Sequence, residues 1–106
     1  MELYHEIRTD AYVLILAGLI DEGDAAELKQ AFHKALQSRR ARIIVDCHKL
    51  DYISAAGTEI FLAQLPLIRD KGIQLAFEGL NAPCRQVFLS LGLEDLLLLS
   101  DTSFAV

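Results

Sequence analysis

The chain has 106 residues, 53% hydrophobic, 24% charged and 8% aromatic, the scale of one compact domain spanning residues 1–106 with a core of its own. These proportions exclude intrinsic disorder, and the net charge of -5 has the wrong sign for a protein held to nucleic acid or to anionic lipid by phosphate neutralisation. Cys47 and Cys84 are the two cysteines, no charged-then-apolar leader is visible, and the longest uncharged run, Ala11–Ile20, is far short of a membrane span. The expectation is a soluble, cytoplasmic protein with reduced thiols and no direct membrane binding.

Leu3–Arg8 alternates, with Leu3, His5 and Ile7 on an inward face and Tyr4, Glu6 and Arg8 outward, which predicts a half-exposed strand. After a turn at Thr9-Asp10, the apolar run Ala11–Ala17 predicts a second, buried strand and so an N-terminal hairpin. Gly18–Gly23 breaks that run, and Asp24 with Glu27 three residues on has the layout of a capping box opening a helix. Leu28, Ala31, Phe32, Ala35 and Leu36 make one apolar stripe on it, and Ser38-Arg39-Arg40 ends it with cations at the negative end of its dipole. Arg42–Cys47 is a short β-branched third strand, followed by a loop from His48 to Ile53.

Ala56–Asp70 carries Ile60, Phe61, Leu65 and Ile68 on a common face, a second helix in which Pro66 predicts a kink or an early end near Leu65. Ile73, Leu75 and Phe77 alternate as a fourth strand, Asn81-Ala82-Pro83 opens a third helix stopped by Gly92, and Leu93–Leu99 predicts a further short helix before a loose tail. Strands alternating with helices after a hairpin predict an α/β fold. Its sheet is mixed and four-stranded, with parallel crossovers after the hairpin, and the helices lie mainly on one face above a floor of Ile44, Leu75 and Phe77.

No catalytic constellation is legible. His5, His33 and His48 sit where packing or solvent explains them, and joining His48 to Asp46 and Asp51 as a metal site would need neighbours that point in opposing directions. The cysteines stand 37 positions apart with no second pair, and the glycines form neither GxGxxG nor a P-loop. The reading is a protein that is not an enzyme and holds no metal and no cofactor. What stands out is the junction Asp51–Glu59, where a strand, a loop and a helix start meet in small residues.

At that junction the chain resembles the STAS domain of the anti-sigma factor antagonists, from Leu3 to about Leu99. Gly18-Leu19-Ile20-Asp21 resembles the family's Gly-x-Leu-Asp, Ile44-Val45-Asp46 resembles its Val-x-Asp-Leu strand, and Leu50–Gly57 lies over a signature usually written Ile-Asp-Ser-Ser-Gly-Leu. The resemblance implies a bacterial, non-enzymatic partner switch in transcription regulation. Such a domain binds an anti-sigma factor of the histidine-kinase-like ATPase fold and is turned off by phosphorylation of the serine after the signature aspartate.

Anchored on Gly57, the signature puts Ser54 at the aspartate position and Ala55 at the phosphoserine position. Three readings follow: Ala55 fixes the binding-competent form, Ser54 or Thr58 serves as acceptor instead, or the module is reused as a scaffold. The expected partner surface is Ile20, Asp21, Asp24, Ile53, Ser54, Ala55, Ala56, Gly57 and Thr58, with Ser54 the nearest candidate for phosphorylation. The alternative role implied by the resemblance is a STAS accessory subunit docked on the ATPase of an ABC lipid-transport complex.

Overall fold

In the computed structural model, which describes residues 1–93, the N-terminal alternation becomes a hairpin of β1 (Glu2–Ile7) and β2 (Ala11–Ile20). Its turn is closed by Arg8 N donating to Ala11 O at 2.8 Å. A 3-10 turn (Glu22–Asp24), α1 (Ala25–Gln37), β3 (Arg42–Ile53), α2 (Ala55–Asp70), β4 (Gln74–Glu78) and α3 (Ala82–Ser90) complete the order. The strands lie side by side as β1-β2-β3-β4, the first pair antiparallel and the others parallel. The predicted helix over Leu93–Leu99 and the tail after it fall outside the described residues, apart from Leu93 itself.

The main core is formed between one face of this sheet and all three helices. Tyr12, Leu14, Leu16, Ile43, Val45 and Phe77 from the strands meet the stripe Leu28, Ala31, Phe32, Ala35 and Leu36 of α1, and Phe61, Ile68 and Phe88 of α2 and α3. Four phenylalanines tie the layers together edge to face, Phe32 to Phe61 at 5.7 Å, Phe61 to Phe77 at 5.4 Å and Phe77 to Phe88 at 5.5 Å. Ala11, Val13 and Ile44 form a second, small cluster on the other face, to which no helix contributes among the described residues. Ile44 therefore does not belong to the helix floor. In the apolar run Ile43-Ile44-Val45 it is the flanking pair that faces the helices, in register with Leu75 and Phe77.

Four other expectations change. β3 continues to Ile53, because two irregularities against β2 each give it one extra residue: Ile15 and Ala17 pair with Asp46 and Lys49, and Gly18 and Leu19 with Leu50 and Tyr52. Each extra residue re-aims the strand, so that Cys47, Leu50 and Ile53 are all buried at a spacing of three. The capping box lies three residues earlier than expected. Asp21 caps the 3-10 turn reciprocally with Asp24, while Asp24, as N-cap of α1, makes no side-chain capping bond. α2 also runs through Pro66 to Asp70. Pro66 stands on the exposed side of that helix, where water can meet the Leu62 carbonyl that loses its donor. Finally, the inward face of edge strand β1 is only partly covered: Leu3 packs on the core, but Ile7 is 59% exposed.

Candidate functional site

β2 and β3 end together at the register pair Ile20 and Ile53, and both chains turn there into helical structure. Ser54 N donates to Ile20 O at 2.9 Å, which pins the start of α2 to the end of β2. Gly57 permits this approach: a Cβ on it would stand 3.0 Å from Ile20 Cγ2 and from Ile20 O, and 3.1 Å from Ile53 Cγ1. On the β2 side, Asp21 Oδ1 accepts from Gly23 N at 2.9 Å, and Asp21 N donates to Asp24 Oδ2 at 3.0 Å. From the far side Asn81 Nδ2 donates to Leu50 O at 3.1 Å and to Asp51 O at 3.2 Å, while its Oδ1 caps α3. Three connections are thus fixed around one patch at the ends of the central strands.

Ser54 is the N-cap of α2. Its Oγ accepts from Gly57 N at 3.0 Å, satisfying one of the free amides of the first turn. Aspartate and serine are interchangeable in that capping role, so the departure at this signature position preserves the local structure. Ala55, the first residue of α2, is exposed, and Ala56 is half-buried. Thr58 is fully buried and donates its hydroxyl to Ser54 O at 3.1 Å.

The residues expected at the partner surface are therefore brought together, but they divide into two layers. Ile20, Ile53, Gly57 and Thr58 lie beneath the surface and form its support, because the strand ends and the helix start approach too closely to leave them accessible. Asp21, Asp24, Ser54, Ala55 and Ala56 remain on the outside, fully or in part. The sequence reading passed over Leu19 and Tyr52, paired in register beside the patch and exposed by 48% and 41%. Their signal was present: each directly precedes a residue of the site and has the opposite strand parity to buried Ile20 and Ile53.

The histidines are engaged elsewhere. His5 Nδ1 is 2.6 Å from Tyr12 Oη, and His33 Nε2 is 3.2 Å from Gln37 Nε2. His48 does not join Asp51; its Nδ1 is 2.7 Å from Asp46 Oδ1, and its ring lies over Gly79, where a Cβ would meet it at 2.5 Å. Burial of Asp46 opposes its ionisation, but hydrogen bonds from the backbone and side chain of His48, with the nearby charge of Arg8, outweigh it and hold the carboxyl below its ordinary range. Burial pushes both the Cys47 and Cys84 thiols up, the opposite of what a reactive thiolate requires. Among the described residues no group of three His, Cys, Asp or Glu side chains is placed to hold a metal ion, and no helix is long and apolar enough to cross a membrane.

Comparison with known proteins agrees with this architecture. The family model described as "Mlab, STAS domain" matches residues 5–100. Among solved structures, the anti-sigma factor antagonist SpoIIAA in its unphosphorylated form superposes with a TM-score of 0.77 at 18% identity, covering 90% of this chain and 84% of that one. SpoIIAA of Bacillus in its phosphorylated form gives 0.69 at 18% identity, covering 90% of this chain and 87% of that one. An anti-sigma factor antagonist from Mycobacterium paratuberculosis gives 0.73 at 18% identity, covering 89% and 80%. At these identities the solved structures show a shared fold. No curated protein matches the chain by sequence. With the signature glycine seated against the ends of two central strands and the family model spanning nearly the whole chain, this protein belongs to the STAS domain family.

Proposed function

We propose that the chain is a non-enzymatic partner-binding regulator, an anti-sigma factor antagonist whose α2 start docks on an anti-sigma factor of the histidine-kinase-like ATPase fold. In this reading binding is not switched off by phosphate at position 55. The observation that carries it is the chemistry of the three candidate acceptor positions. Ala55 is exposed but has no hydroxyl, Ser54 has a hydroxyl turned back into α2 as its cap, and Thr58 has a hydroxyl sealed in the interior. Phosphate transfer to Ser54 requires its cap to be released first, and transfer to Thr58 requires the strand-to-helix junction to open. Around Ala55 the surface offers what a protein interface uses: an aromatic and an aliphatic anchor in Tyr52 and Leu19, small residues for close approach, and the fixed acid Asp21 at the rim.

A second reading is favoured by a separate observation. The matching family model is described under Mlab and not under the antagonists, and a permanent accessory subunit has no need of an acceptor serine. In that reading the same patch docks on the ATPase of an ABC lipid-transport complex. Affinity capture from the native cell, with the parent chain and a Tyr52→Ala chain as baits, separates the two. Capture of a kinase-fold anti-sigma factor by the parent alone supports the antagonist, and capture of an ABC ATPase by the parent alone supports the accessory subunit. Equal capture by both baits removes the patch from the account.

A further inference from the structure

At the opposite end of the parallel strands, where β3 and β4 begin, the α1–β3 and α2–β4 connections enclose an open cavity of about 670 Å3. Gln37, Arg39, Arg40 and Lys71 line it, with Leu36 and Ile73 among its apolar walls, and among the described residues no carboxylate belongs to the lining. In a chain of net charge -5 this is a local reversal of sign. None of the three cations forms an ion pair among the described residues, where the ion pairs involve Met1, Arg8, Arg42 and His48.

Two details separate this cluster from ordinary cations answering the dipoles of α1 and α2. Arg40 Nε is buried and has no hydrogen-bond partner among the described residues, although an arginine donor removed from water is costly to leave unmade. Arg39 has φ +57°, the left-handed conformation that follows many helices and that glycine normally fills; among the described residues it is the sole non-glycine with positive φ. Arg39 and Lys71 are exposed and Arg40 is half-buried, and cations that only complement the helix ends need neither feature. A strained arginine beside an unsatisfied one, both lining the same cavity, is the kind of outlier that marks a ligand site.

We propose that this cavity binds a small phosphate-bearing molecule, its phosphates held by Arg39, Arg40 and Lys71 and its organic part resting on Leu36 and Ile73. Guanidinium forks match phosphate oxygens two at a time, and Arg39 and Arg40 both line the cavity. The volume is within the range of small-molecule sites and exceeds what a lone phosphate fills. The cavity lies away from the Ala55 patch, so the inference stands apart from the partner proposal.

Titration calorimetry of the full chain with inorganic pyrophosphate and with ADP tests it, backed by amide chemical shifts at Gly72 and Ile73. Expected is saturable binding of both probes, tighter for ADP, with shifts at those amides. Affinity should fall about tenfold or more in Arg39→Gly and again in Arg40→Gln, each losing a charge-assisted hydrogen bond. Arg39→Gly keeps the left-handed backbone and so remains folded, and Ala55→Asp, remote from the cavity, should bind as the parent does. Absence of saturable binding for both probes would overturn the proposal, as would parent-like affinity in the Arg39→Gly, Arg40→Gln double variant.

Discussion

Replacing Gly57 by alanine tests the geometry on which the candidate site rests. The added Cβ would stand 3.0 Å from Ile20 Cγ2 and Ile20 O and 3.1 Å from Ile53 Cγ1, about half an ångström inside the usual separation of carbon atoms. Ile20 O cannot retreat freely, since it accepts the 2.9 Å bond from Ser54 N, and Ile20 and Ile53 are themselves fully packed. Overpacking of this kind costs about 1–3 kcal/mol. Against it, alanine gains about 0.5–1 kcal/mol over glycine within a helix, and the gain is at the low end in a first turn. The overpacking term wins, leaving a net loss of about 0.5–2.5 kcal/mol, which lowers the Tm by about 2 °C or more. Thermal unfolding followed by circular dichroism measures it. A Gly57→Ala chain that melts at or above the parent temperature would show that the junction is looser than described, and that Gly57 does not set the seat of α2.

Phe32→Ala removes a fully buried ring at one end of the edge-to-face series, and urea unfolding should show a loss of about 3–5 kcal/mol. Asp46 supplies a pH test. Its carboxyl ionises below the ordinary range in the folded chain, so its contribution to stability is present above the unfolded pKa and is lost as pH falls through the folded value. The parent should therefore lose stability more steeply than Asp46→Asn in urea titrations carried below about pH 4, and parallel curves would remove the His48–Asp46 pair from the account. Incubated with ATP and an active cognate kinase, the parent should gain no phosphate by intact mass, whereas Ala55→Ser should gain one phosphate and lose its partner. Stoichiometric phosphate on Ser54 or Thr58 of the parent contradicts the reading.

Most of the framework was legible because the local signals agree with one another. The α1 stripe at Leu28, Ala31, Phe32, Ala35 and Leu36 is buried as its spacing requires, and Asn81 caps α3 as its position before Ala82-Pro83 suggests. Legibility failed where tertiary structure broke a period. The second half of β3 buries Cys47, Leu50 and Ile53 every third residue because of its two bulges, a pattern that reads as loop when alternation is the criterion. Ile43-Ile44-Val45 is apolar throughout, so nothing in the run says which residue faces the helices; register with Leu75 and Phe77 decides it. Asp21, Asp24 and Glu27 offer two overlapping capping patterns, and the choice falls to the one completed by a 3-10 turn. At the site, the junction itself was found from its small residues. Its division into a buried layer and an exposed one was not, since Ile20, Gly57 and Thr58 are adjacent to the surface in sequence but lie beneath it in space.

The most direct test of the partner proposal is the affinity of the captured partner for the parent chain and for Ala55→Asp, measured on chains of matched stability. Ala55 is exposed at the first turn of α2, where a carboxylate is favourable to the helix dipole, so the variant should fold and melt as the parent does. A charge introduced into a close contact of small residues must be desolvated without a counter-ion, and the partner should bind about tenfold more weakly or worse. An unchanged Kd in a folded Ala55→Asp chain would contradict the account and move the interface to another face of the domain.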